Sequence, residues 1–240
     1  MNYLDRVYLL VIAIWLLLDH FVLWPRFGRH VHANPGRARW RLWSGWMAVL
    51  WTLTGAGIAL WWFEDRPWAD LRFGLPYGWR FALAIVVVTA LAAMQAGSIR
   101  KIARLPEDRR VRFGSRQDEL APMLPHTRRE FGGFVALSLT AGFCEEFIFR
   151  GYLIWAFQAS LGLWGAATFS SVVFGLAHVY QGARGVLASG VVGALLAALV
   201  LLTRSLWPAI VAHALLDIGH GWIAWLVLRR TGNRPVQPAA

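Results

Sequence analysis

Apolar residues run along this chain in long blocks separated by short polar segments. A helix needs roughly 20 apolar residues to cross the hydrocarbon core of a bilayer. Several blocks reach or approach that length. Val7–Trp24 is the first, closed by Pro25, and Trp46–Phe63 and Phe81–Gly97 follow. From Phe131 to Ala198 the chain is apolar almost throughout, broken by Glu145, Glu146, Arg150, His178 and Arg184. A last block covers Leu206–Leu228. The pattern predicts an all-α fold, a polytopic membrane bundle of about seven to eight transmembrane helices with a polar intramembrane cavity. Phe131–Leu161 is long for one helix and carries three charges, so it reads as one broken span or as two short segments. Val7–Trp24 is too long for a signal peptide, has only Arg6 as a basic leader, and lacks a small-residue cleavage site after Trp24. It therefore reads as a retained span.

Composition narrows the picture. Of 240 residues 58% are hydrophobic and only 15% charged, against about 25% charged in soluble domains. That excludes a soluble globular class and a disordered one. The net charge is +11. In a soluble chain this excess would suggest nucleic acid. Beside long apolar blocks it marks the cytoplasmic side of a membrane instead, so the partner it implies is the lipid bilayer and not nucleic acid. Seventeen of the 24 Lys and Arg lie in segments 25–41, 99–130 and 229–234. The loop Glu64–Gly78 holds three acids against Arg66 and Arg72. The basic segments are expected inside, Glu64–Gly78 and the N-terminus outside, with an odd number of spans, for which seven fits. Segment 99–130 contains Pro106, Pro122 and Pro125 and reads as a cytoplasmic loop with an interfacial helix near Thr127–Glu130. Fifteen Trp suit a protein with two membrane interfaces. Gly182, Gly185, Gly190, Gly193 and Ala197 stand at helical spacing and predict close helix packing in lipid. The single cysteine, Cys144, excludes an internal disulfide framework and a cysteine-based zinc site.

Ionisable side chains in a bilayer are costly, and their default reading is functional, with a named partner. They fall in three clusters. The first is Glu145-Glu146-x-x-x-Arg150. Glu146 and Arg150 share a helix face and can neutralise each other, while Glu145, about 100° round the helix, is left as a carboxylate in need of a partner. The bland alternative is an ion pair that locks two helices. The second is Phe174-x-x-x-His178, where a lone histidine is commonly satisfied by a backbone carbonyl. The third is His213, Asp217 and His220, one stripe on one helix, which read blandly is a satisfied His–Asp pair. Together they are too many to bury singly and converge more economically on one wet site. Glu145 can act as general base, His178 can orient water, and His213 and Asp217 can serve an oxyanion. That set suits hydrolysis of an amide bond. Glu145, His178 and His213 also suit a divalent metal such as Zn²⁺.

The three motifs in this order, E-E-x-x-x-R, F-x-x-x-H and H-x-x-x-[N/D], resemble the CAAX prenyl endopeptidase and bacteriocin-processing family, the type II CAAX proteases of membranes. Leu124-Pro125 and Glu130-Phe131 add to the resemblance, which covers roughly residues 115–228. It implies an intramembrane endopeptidase that cleaves a membrane-associated protein or peptide with a Glu/His-activated water. Glu145 would be the water-activating glutamate, Glu146 and Arg150 the rest of its motif, His178 the second motif's histidine, and His213 with Asp217 the third motif. An aspartate at 217 must be protonated to donate to an oxyanion, or else orient His213. Zn²⁺ at Glu145, His178 and His213 and a metal-free mechanism both remain open. The implied layout is a three-span region at 1–114 with basic cytoplasmic loops, a catalytic helix bundle at 115–230 and a short cytoplasmic tail at 231–240. The implied location is a bacterial cytoplasmic membrane. Two other classes compete: a non-catalytic partner or immunity protein of the same fold, and a proton- or ion-coupled transporter, although no internal repeat is visible. H-E-x-x-H and G-x-G-D are absent, and Leu187-Ala188-Ser189-Gly190 only faintly resembles a rhomboid serine motif.

Overall fold

Asn2 starts the first helix, its side chain accepting from the Asp5 N–H while Asp5 accepts from the Asn2 N–H. This reciprocal cap satisfies donors the helix cannot pair itself. In the computed structural model, which describes residues 1–106, 109–110 and 120–229, α1 (Tyr3–Leu18) runs through a π-helical turn, Asp19–Leu23, straight into α2 (Trp24–Val31). Pro25 therefore does not close the first span. It sits in the first turn of α2, where a missing N–H is tolerated. Next, α3 (Pro35–Phe63) begins inside the Arg-rich segment, capped by Asn34. It is followed by α4 (Trp79–Arg104). Both rods outrun their apolar blocks because polar helix ends extend beyond the hydrocarbon core.

Thr127 and Glu130 form a second reciprocal cap. They do not make a separate interfacial helix; they open α5 (Arg128–Glu145), which continues through a π-helical segment, Glu146–Leu153, into α6 (Ile154–Ala177). Gly162, at φ 67° and ψ 167°, breaks this run, in a backbone region essentially reserved for glycine. A short turn then leads to α7 (Gly182–Thr203) and α8 (Trp207–Leu228). No strand occurs among the described residues. Six of their helical stretches are long and apolar enough to cross a membrane, the longest being the 50 residues Arg128–Ala177. The break falls at Gly162, just beyond Phe131–Leu161: residues 128–161 run on through the π-helical segment, so the division expected inside Phe131–Leu161 is not seen.

The two ends of the bundle are built from different pairings. At one end Asp5 receives both terminal nitrogens of Arg66, at 2.7 and 3.1 Å, and the Tyr152 hydroxyl. Burial opposes the Arg66 charge, but the bonds to Asp5 outweigh it and raise its pKa. The Leu206 N–H donates to the Arg72 carbonyl at 2.8 Å, and Trp207 Nε1 to the Phe73 carbonyl at 2.9 Å. The N-terminus, the loop Glu64–Gly78 and the turn before α8 thus share an end. At the other end of α3, Arg39 binds Glu130 and Trp43 Nε1 donates to the Met123 carbonyl. This division of loops is the one the charge asymmetry requires. The tail 231–240, with Arg234, and residues 107–108, 111–119 and 230 lie outside the described residues.

Tryptophan does more than line the interfaces. Trp43 and Trp61 have no exposed surface, whereas Trp62 and Trp79 are largely exposed. Trp61 joins Tyr8, Leu53, Phe147 and Tyr152 in the main apolar cluster, which knits α1 and α3 to the π segment. The small residues of α7 pack as expected: a Cβ on Gly175 would lie 2.8 Å from the Val186 carbonyl and 3.1 Å from Gly190 Cα.

Candidate active site

Glu145 ends α5 and Glu146 opens the π-helical segment. A π turn fits an extra residue into the helix, and such turns recur at functional sites. The pairing expected from the spacing is nevertheless present: Arg150 Nη1 donates to Glu146 Oε1 at 2.8 Å, with both side chains fully buried. The pair is not self-contained. His213 Nδ1 donates to the same Oε1, also at 2.8 Å. Glu146 Oε2 and Arg150 Nε and Nη2 have no hydrogen-bond partner among the described residues. The guanidinium instead lies 4.1 Å from the centre of the Phe174 ring, a cation–π contact. Gly193 leaves it room, since a Cβ there would stand 3.0 Å from Nη2.

His213 reaches Glu146 because α5 and α8 cross almost in contact. A Cβ on Gly142, one turn before the glutamates, would lie 3.1 Å from both the Ala214 nitrogen and the Ile210 carbonyl. The second ring nitrogen, Nε2, lies 3.8 Å from Glu145 Oε2 and 3.7 Å from Asp217 Oδ2. These separations are too long for direct hydrogen bonds and short enough for charge interaction. One imidazole thus stands between the buried Glu146–Arg150 pair and two partly accessible carboxylates.

His178 caps the C-terminus of α6, and its Nδ1 lies 2.8 Å from the Phe174 carbonyl. A carbonyl can only accept, so Nδ1 carries the proton and the neutral ring keeps its lone pair on Nε2. The carbonyl reading of this histidine holds for Nδ1, and the ring also lines the cavity.

A cavity of about 940 Å³ gathers these groups. Glu145, His178, His213, Asp217 and His220 line it, the last from an exposed position. Glu146 and Arg150 are not on its wall; they lie behind His213. Met123, Tyr180, Gln181 and Arg184 also line the cavity, toward the end of the bundle that carries the Arg39–Glu130 pair. One lining residue went unread in the sequence. Asp19, in the π turn after α1, is buried in the cavity wall and accepts from Trp46 Nε1 at 2.6 Å. The available signal was a carboxylate inside the first apolar block.

A divalent metal would polarise the scissile carbonyl and activate water. Among the described residues no group of three or more His, Cys, Asp or Glu side chains is gathered to hold a metal ion. Glu145, His178 and His213 share the cavity without forming such a group, and no step below runs through a metal.

Residues 127–219 match the family model described as Rce1-like, type II CAAX prenyl endopeptidase Rce1-like. This segment is Rce1-like. The match bears out the resemblance read from the motifs and is narrower than the expected 115–228. It opens at Thr127, the cap of α5, and ends at Gly219, so the Rce1-like segment contains Glu145 through Asp217 and leaves out Asp19 and His220. The family is one of proteases, and a protease reading holds at that level. No curated protein and no solved structure matches the chain.

Proposed function

We propose that this protein is an intramembrane endopeptidase that hydrolyses a peptide bond of a membrane-associated protein or peptide with a water activated by Glu145 and His178. The observation that carries the reading is the convergence of Glu145, His178 and His213 on one cavity, with His213 held from behind by Glu146. In this mechanism a water gives one proton to Glu145 while its other hydrogen stays on oxygen and donates a hydrogen bond to the Nε2 lone pair of His178. The water oxygen bonds to the carbonyl carbon, and the carbonyl electron pair moves onto oxygen. A doubly protonated His213 keeps Nδ1–H on Glu146 and presents Nε2–H to that oxyanion. Asp217 orients the same nitrogen. The carbon–nitrogen bond then breaks, the departing nitrogen takes the proton from Glu145, and a new carboxyl group and a new amine result.

Glu146 and Arg150 are positioning residues in this scheme. The carboxylate fixes which nitrogen of His213 faces the fold, and Arg150 offsets the charge that the carboxylate would otherwise bury alone. We place the cavity mouth at the cytoplasmic face, because the Arg-rich segments lie at that end, and the protein in a bacterial cytoplasmic membrane. The substrate would then enter from the cytoplasmic leaflet. The description of the matched family makes a prenylated protein the first substrate to try.

A comparison of protein termini tests the reading in membranes that carry either the wild-type chain or Glu145→Gln. Termini that vanish with the variant, at equal amounts of protein in the membrane, are the expected result. An unchanged set of termini would overturn it. Chelation followed by Zn²⁺ addition separates the two mechanisms: cleavage by the metal-free route is indifferent to both.

A further inference from the structure

A second cavity, of about 600 Å³, lies between the α1–α2 rod and α3. We propose that it binds an anionic phospholipid of the leaflet at the basic end of the bundle. Its floor is apolar, formed by Trp15, Leu23, Phe27, Leu42 and Val49. Its rim carries Arg26, Arg37 and Arg41, and no acidic residue among the described residues lines it. All three arginines are exposed. None has an ion-pair partner among the described residues. Arg37 and Arg41 are one turn apart on α3 and Arg26 faces them from α2, so three like charges converge without an ion-pair partner among the described residues.

An amphiphile with an anionic head resolves both features at once. Its acyl chain covers the apolar floor, and its phosphate takes hydrogen bonds from the guanidinium groups. Basic pockets between transmembrane helices on the cytoplasmic side bind such headgroups. The contrast with the catalytic cavity is sharp, because Asp19, Glu145 and Asp217 line that one. The two cavities share Trp15 and Trp46 as a wall, and Trp46 also holds Asp19. A lipid seated in the groove would therefore press on the wall of the catalytic cavity from its other side.

The test uses the purified full chain in nanodiscs of phosphatidylcholine, alone or mixed with phosphatidylglycerol. The lipid retained after extraction is read by native mass spectrometry, and thermal melting is followed in parallel. Each arginine near an anionic surface is worth about fivefold in binding, so the wild-type chain is expected to retain phosphatidylglycerol in clear preference and to melt higher in its presence. The Arg26→Gln, Arg37→Gln, Arg41→Gln triple variant should lose the preference while melting normally in phosphatidylcholine. Gly45→Phe fills the groove from a position with open space around it. It should lose retention with all three charges in place. A control triple variant at the end of α4, Arg100→Gln, Lys101→Gln, Arg104→Gln, should keep the preference. Equal retention of both lipids by the wild type would overturn the proposal. So would equal losses in the two triple variants, which would indicate diffuse attraction, or displacement of the lipid by glycerol phosphate alone.

Discussion

Two buried arginine–glutamate pairs hold this protein together at different places, and they are satisfied to very different degrees. In the pair Arg39–Glu130, both Nε and Nη2 of the arginine donate to Oε1, at 2.9 and 2.7 Å. The other oxygen accepts from the backbone N–H groups of His126 and Thr127. Every oxygen of that carboxylate is used, and its work is to cap α5 and fasten it to α3. In the pair Arg150–Glu146 one oxygen carries both bonds, to Arg150 and to His213, while the other oxygen and two arginine nitrogens have no hydrogen-bond partner among the described residues. Leaving a buried polar atom unpaired is expensive. In the proposed mechanism the under-paired bridge has a second task, the orientation of His213.

The largest expected effects are on cleavage. General-base assistance is worth about 10²–10⁴-fold in rate, and one oxyanion donor about 10²–10³-fold. Glu145→Gln, His178→Ala and His213→Ala should therefore each abolish detectable cleavage while the protein stays in the membrane at near-normal amounts, measured by immunoblot beside the termini assay. His220→Ala, from the exposed edge of the cavity, should cost little. If His220→Ala were as damaging as His178→Ala, the assignment of roles along α8 would be wrong.

Single breaks of either pair come next. Removing one partner of a buried ion pair costs about 3–5 kcal/mol, because the other charge is left uncompensated. Arg39→Ala and Arg150→Ala should both lower abundance and thermal stability. A smaller loss, about 1–3 kcal/mol from overpacking, is expected for Gly142→Val, which would push α8 off α5. Cleavage should fall further than stability there, since His213 moves with α8. A variant that kept full cleavage would show that the close crossing does not position His213.

The smallest effect is a pH dependence confined to the structural pair. Burial, with the nearby Arg39 charge, lowers the pKa of half-buried His126 below its ordinary value of 6.5. The folded state therefore binds fewer protons than the unfolded state in that range. Stability from this group is complete above about 6.5 and declines as the pH falls below it. Melting profiles of His126→Asn should lack this decline, and cleavage at neutral pH should be unchanged. An identical decline in the variant would assign the dependence to another group.

Much of this architecture was legible in local pattern. The apolar blocks gave the spans, the charge asymmetry gave the grouping of loops, and the four-residue spacing gave the Glu146–Arg150 contact. What was not legible depended on distance along the chain or on broken periodicity. His213 meets Glu146 across 67 residues and Arg39 meets Glu130 across 91, and no local repeat encodes either meeting. Arg39 therefore counted only as one more loop charge. The π turns at Asp19–Leu23 and Glu146–Leu153 depart from the 3.6-residue period on which face assignments rest, and Asp19 went unread as a cavity residue. Pro25 and Gly162 show the same limit from two sides. A proline beside a π turn did not end its helix, and a glycine inside an apolar run did break one.

The most direct measurement replaces each bridge by a neutral pair of similar shape and compares the two proteins. Arg39→Met with Glu130→Gln removes the structural charges and keeps an acceptor for the cap. Glu146→Gln with Arg150→Met does the same behind His213. Both double variants should accumulate better than Arg39→Ala or Arg150→Ala, because neither buries a lone charge. Membrane abundance and dependent termini are then scored together. The expected result is cleavage retained by the first double variant and reduced about 10²-fold or more in the second, where His213 has lost its charged support. Equal cleavage by the two would contradict the claim that one bridge serves the fold and the other the site.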